Sequence, residues 1–105
     1  MLKFVLAGFD IGTSKIRCIL YDTKGNILIS YDQKTPIIKK KDGWYNPAEK
    51  VYLISLKILK QIFNYSKKQK LIVKGIAFSS VGEAGVPIDK NKKALMDIIP
   101  WYDQR

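Results

Sequence analysis

The chain of 105 residues contains no histidine and a single cysteine, Cys18. A Ser-His-Asp triad, a Cys-His nucleophile pair and an ordinary zinc site are therefore excluded within it, and an internal disulfide has no second sulfur. Arginine is scarce too. Of 19 basic residues against 9 acidic ones, only Arg17 and Arg105 carry the planar fork that specific base and phosphate readers favour. The rest are lysines, so the formal charge of +10 reads first as a solvated surface, and nucleic acid is not an expected partner. No apolar run approaches the roughly 18 residues of a membrane span. The amino-terminal stretch meets Asp10 too early for a secretion signal, and a cytoplasmic protein without a membrane partner is expected. Any chemistry must rest on carboxylates, hydroxyls, lysines and backbone amides.

What is present suits one domain. An apolar fraction of 47%, with aromatic residues throughout, argues against intrinsic disorder. Residues 3–9 form an apolar run that reads as a buried strand, and residues 16–21 and 27–31 read as two more. Asp22-Thr23-Lys24-Gly25-Asn26 supplies turn chemistry between the last two, so the three strands form an antiparallel meander. Residues 35–46 look irregular, with Lys39, Lys40 and Lys41 in a solvated loop.

Asn46-Pro47-Ala48-Glu49 predicts a helix start, with Asn46 as cap, Pro47 in the first helical position and Glu49 reaching back. Tyr52, Leu56, Leu59 and Phe63 follow at helical spacing, widened by Leu53 and Ile62, and are expected to pack into the core. Residues 64–70 end the helix in a basic loop, and residues 71–79 return to strand. Gly82, Gly85 and Pro87 interrupt the next stretch, with a turn at residues 89–92 between short extended pieces at 86–88 and 94–96. The order β-β-β-α-β matches the opening of a ribonuclease H-like α/β layer, an analogy of topology that assigns no function. Residues 98–105 are apolar and aromatic with no closing element, which suggests a fragment.

Three segments carry candidate chemistry. In Asp10-Ile11-Gly12-Thr13-Ser14-Lys15, glycine permits close approach, amides and hydroxyls suit phosphate oxygens, and Asp10 suits a hydrated Mg²⁺. The same hexapeptide also reads as an ordinary hairpin turn. Glu83, one of two glutamates, sits among small residues in Ser79-Ser80-Val81-Gly82-Glu83-Ala84-Gly85, where it suits a polyhydroxylated ligand or faces water. Trp101-Tyr102-Asp103-Gln104-Arg105 offers aromatic faces and hydroxyl-bonding groups, or core packing beside an ion pair.

Together these pieces resemble the amino-terminal part of the FGGY carbohydrate kinases, the family of xylulose, glycerol and gluconate kinases. Gly8-Phe9-Asp10-Ile11-Gly12-Thr13-Ser14 with Arg17 is similar to the family's first phosphate motif, and Gly43-Trp44-Tyr45-Asn46-Pro47-Ala48-Glu49 to its lead into the first helix. Gly75-Ile76-Ala77-Phe78-Ser79-Ser80 and Ile98-Ile99-Pro100-Trp101-Tyr102-Asp103-Gln104-Arg105 resemble the strand before the substrate loop and the Trp-x-Asp-x-Arg segment. The first motif is shared with actin, hexokinases and chaperone ATPases; the four in this order and spacing are specific.

The resemblance implies an α/β, ribonuclease H-like (actin/hexokinase-type ATPase) subdomain over residues 1–105, part of the first of two domains. It implies ATP and Mg²⁺ as cofactors and a sugar or polyol as substrate. Asp10 would serve the metal, and Gly12, Thr13, Ser14 and Arg17 the phosphates. Gly82, Glu83, Trp101 and Asp103 would face the substrate. Gly82 and Glu83 fall where glycerol kinases carry Arg-Glu and xylulose kinases Met-His; Glu83 keeps the first pair's carboxylate and Gly82 matches neither. The catalytic aspartate, the second phosphate motif and the adenosine pocket would lie beyond residue 105, so the chain alone is expected to be inactive. Surface left by the missing domain would favour self-association.

The main rival is a ribonuclease H-like two-metal junction nuclease using Asp10, Glu83 and Asp103, with lysines on DNA. A dimeric aspartic protease built on Asp10-Ile11-Gly12-Thr13 fits less well. Ile11 stands where that signature needs a hydroxyl, and a long helix has no place in a small β-protein.

Overall fold

Alternation along the first apolar run decides the layers. In β1 (Lys3–Ile11), Val5, Ala7 and Phe9 are buried while Phe4, Leu6 and Asp10 are exposed, as a strand covered on one face requires. The computed structural model describes residues 3–82 and 84–103. Within them β2 (Lys15–Asp22) and β3 (Ile27–Lys34) continue the meander, and Ile16, Cys18 and Leu20 join the buried face. Gly25 turns the β2–β3 hairpin at φ 87°, a left-handed conformation that favours glycine. The Asp22 carboxylate accepts from the Lys24 and Asn26 amides at 2.9 and 2.8 Å.

Residues 35–46 are not irregular throughout. They contain a small antiparallel hairpin of β4 (Ile38–Lys40) and β5 (Gly43–Tyr45). The helix α1 (Ala48–Lys68) comes next, then β6 (Leu71–Ser80), which lies parallel to β1. The main sheet has the order β3-β2-β1-β6, and α1 packs on its buried face. The expected β-β-β-α-β order is present, with the small hairpin inserted before the helix.

Two expectations about α1 are corrected. Its end lies at Lys68 rather than near Asn64, with Lys67 and Lys68 in the last turn, where cations favour the carbonyl end of a helix. Its core face consists of Val51, Ile58 and Ile62, with Ile54, Leu59 and Tyr65 partly covered. Tyr52, Leu53, Leu56 and Phe63 are exposed instead, because the sheet meets the helix on the neighbouring face.

The start of the helix is also built differently. Asn46 does not cap it; its side chain donates to Pro36 O at 3.0 Å, and its backbone pairs with Ile98. The Ala48 amide instead donates to Asp97 Oδ1 at 3.1 Å, so a carboxylate 49 residues downstream occupies the helix start. The lysine run is tied in as well, since Lys40 Nζ lies 2.8 Å from Asp97 Oδ2.

Candidate active site

Strands β1 and β6 are parallel, so both finish at the same edge of the sheet, where open α/β sheets place their ligands. Asp10 stands near the end of β1 with an exposed side chain, and its Oδ1 accepts from Ser79 Oγ of β6 at 2.9 Å. Arg17 lies directly across from Asp10 on β2, and Asp32 across from Arg17 on β3. Val81 N donates to Ile11 O at 3.1 Å, bringing the loop that carries Gly82 to the same edge. Beside Asp10 a shallow cleft of about 300 Å³ is lined by Gly8, Ile19, Tyr21, Ala77 and Ser79 among others.

The turn between β1 and β2 is held from behind. Gly12 N donates to Lys15 O at 2.9 Å, and a Cβ on Gly12 would stand 2.8 Å from that same carbonyl oxygen, too close for any side chain. Thr35, buried just after β3, donates its hydroxyl to Gly12 O at 2.7 Å and its amide to Ser14 O at 2.9 Å. Two carbonyls of the turn are thus fixed on the protein side, while Ser14 is exposed. Thr35 escaped the sequence reading because nothing local marks a threonine 23 residues from its partner.

Trp101 and Asp103 stand on a second structure at the same end of the molecule. The far end of α1 lies with the beginnings of β1 and β6, where Tyr65, Gln69, Lys3 and Leu71 surround a hollow of about 760 Å³. Its first turn therefore lies toward the end where β1 and β6 finish. Residues 94–103 run back along residues 44–49 as a strap. Trp44 N donates to Asp103 Oδ2 at 3.3 Å, Asn46 and Ile98 exchange backbone bonds of 2.8 and 2.9 Å, and Ala94 N reaches Glu49 Oε1 at 3.4 Å. Trp101 is exposed and packs edge-on to Tyr102, while Pro100 beside it in the strap is buried.

The chemistry of these groups is uneven. The hydrogen bond from Lys40, with a smaller contribution from the Ala48 amide, holds the Asp97 carboxyl below its ordinary value. Burial pushes the Cys18 thiol up to about 11, leaving it protonated and inert at neutral pH. Glu83 lies outside the described residues. Among the described residues, no three Cys, Asp or Glu side chains converge to hold a metal ion.

A family model for the amino-terminal domain of the FGGY family of carbohydrate kinases matches residues 5–105. The chain belongs to that family. It is 32% identical over 107 residues to a xylulose kinase of Staphylococcus epidermidis, covering 100% of this chain and 21% of the relative. To a gluconokinase of Bacillus licheniformis it is 30% identical over 109 residues, covering 100% of this chain and 20% of the relative. The crystal structure of Plasmodium falciparum glycerol kinase with ADP superposes with a TM-score of 0.88 at 20% identity, over 98% of this chain and 21% of that one. The fold is accordingly the ribonuclease H-like layer of the actin and hexokinase type. The chain spans about one-fifth of the length of the FGGY relatives it matches. The nuclease and protease alternatives find no support in these matches. In the structure α1 also packs on a sheet with a parallel β1–β6 pair, which a small β-protease lacks. Among the described residues no helix is long and apolar enough to cross a membrane.

Proposed function

We propose that residues 1–105 are the amino-terminal part of the first domain of a sugar or polyol kinase, which transfers the γ-phosphoryl group of ATP to a substrate hydroxyl with Mg²⁺. The observation that carries this reading is the turn after β1. It has no room for a side chain at Gly12, its carbonyls are held from behind by Thr35, and an exposed carboxylate, Asp10, stands at its root. Such a turn suits a nucleotide phosphate and its hydrated metal, because threonine and serine hydroxyls bond phosphate oxygens and magnesium takes few carboxylates.

In this reading Gly12, Thr13 and Ser14 bind phosphate oxygens, Arg17 backs them with positive charge, and Asp10 orders the water shell of the metal. The metal, when bound, neutralises charge on the transferring phosphoryl group. Trp101 presents an apolar wall to the substrate's C–H faces, and Asp103 accepts from its hydroxyls. Gly82 and Glu83 complete the substrate side, Gly82 by leaving space and Glu83 by its carboxylate. None of these residues serves as the base that deprotonates the acceptor hydroxyl, so the 105-residue chain alone is inactive in this reading. Xylulose, gluconate and glycerol are the substrate classes named among the relatives, and they frame the first panel.

The test is ADP release by the product of the complete reading frame, supplied with Mg-ATP and a panel of sugars, sugar acids and polyols. At least one acceptor should raise turnover well above the ATP-only rate, and the 105-residue chain should show none. A panel in which no acceptor raises turnover would contradict the reading.

A further inference from the structure

We propose that Asp97 is a positioning residue for substrate binding, locking the strap that carries Trp101 and Asp103 onto the first turn of α1. The proposal rests on the kinase reading above, which gives Trp101 and Asp103 their substrate role. Asp97 joins three separate pieces of chain. One carboxylate oxygen accepts from the Ala48 amide at the helix start, and the other pairs with Lys40 of β4 at 2.8 Å. The next residue, Ile98, exchanges two backbone bonds with Asn46. Residues 44, 46, 48 and 49 thus meet residues 103, 98, 97 and 94 in antiparallel order, so the strap is held at both ends and its exposed middle presents Trp101.

Asp97 makes the shortest side-chain contacts in that series. Glu49 accepts from Ala94 at 3.4 Å and Asp103 from Trp44 at 3.3 Å, both longer than either contact of Asp97. The helix start favours an anion there, and the ammonium of Lys40 balances the same charge from the opposite side. Removing the carboxylate would leave the Ala48 amide without its acceptor and the strap attached by the Asn46–Ile98 backbone bonds and the two longer contacts of Glu49 and Asp103.

The experiment compares Asp97→Ala, Asp97→Asn and Lys40→Met in the product of the complete reading frame. Steady-state kinetics and amide hydrogen exchange at Asn46, Ala48 and Ile98 are the readouts. Asp97→Ala should raise KM for the acceptor about tenfold while KM for ATP stays within about twofold, the loss of a charged hydrogen bond felt on one side of the site only. Protection at Ala48 and Ile98 should fall with it. Asp97→Asn keeps an acceptor oxygen for Ala48 and should recover most of the acceptor affinity; Lys40→Met should stay close to wild type. An unchanged acceptor KM in Asp97→Ala, an equal rise in both KM values, or undiminished protection at Ala48 and Ile98 would each overturn the proposal. If the wild-type protein phosphorylates no acceptor, the kinase reading itself fails, and exchange at these amides still decides whether Asp97 fastens the strap.

Discussion

Thr35 shows how much a single buried hydroxyl can do for a turn it does not belong to. Its side chain and its amide hold Gly12 and Ser14 by their carbonyls. Thr35→Val preserves shape but leaves the Gly12 oxygen without its hydroxyl donor, which should cost about 1 kcal/mol of stability in denaturant unfolding, and Thr35→Ser should restore it. Asp97 and Lys40 give a second prediction, in pH. Asp97 sits below its ordinary value of 3.8, so its contribution is complete above that pH and disappears as pH falls through the lower folded value. Lys40 is raised above 10.5 by the same pair, so its contribution is complete below that pH and disappears as pH rises through the higher folded value. Asp22 is also lowered, chiefly by its bond with the Asn26 side chain, and adds loss of the first kind. Urea midpoints should therefore fall as pH drops below about 4, and by less in Asp97→Asn than in the wild type. The turn after β1 was legible in the sequence because glycine, threonine, serine and a strand-end aspartate are local signals. Thr35 and Asp97 were not, because they act on partners 21 to 57 residues away.

At the scale of the element, α1 separates what periodicity can and cannot tell. Two apolar rows share the helix, one through Val51, Ile58 and Ile62 and one through Tyr52, Leu56 and Phe63. Periodicity predicts that a helix forms; only the position of the sheet decides which row is buried. Ile58→Ala should therefore destabilise the chain by about 2–5 kcal/mol, whereas Leu53→Ala should stay within about 0.5 kcal/mol, as chemical denaturation of the two variants would show. The helix start is a similar case. Asn46-Pro47-Ala48-Glu49 located it to within a residue, but Pro47 stands just before the first helical residue, Glu49 accepts from Ala94 instead of reaching back, and the acceptor for Ala48 is Asp97, since Asn46 is committed to Pro36 and Ile98. Residues 43–49 and 98–103, which lie in two segments recognised separately by their resemblance to family motifs, prove to be the two sides of one rail.

For the molecule as a whole, the sheet is covered on one face. Phe4, Leu6 and Ile27 are exposed on the sheet and Phe78 on β6, in addition to the outer row of α1, and exposed apolar surface of this kind favours association. The isolated 105-residue chain should accordingly self-associate as its concentration rises, and light scattering after size-exclusion chromatography would report a mass above 12.0 kDa; a monomer at all concentrations would refute this. The chain covers about one-fifth of its FGGY relatives, and its parallel strands β1 and β6 end at the edge that carries the turn after β1. The central claim is that Asp10 and the turn after β1 handle the nucleotide phosphates and their metal. Its most direct test is acceptor-dependent ADP release by the product of the complete reading frame, wild type beside Asp10→Asn. A fall in kcat of roughly 100-fold or more, with folding intact by circular dichroism, is the predicted result for loss of a charge aimed at the transferring phosphoryl. Equal turnover by the two proteins would contradict it.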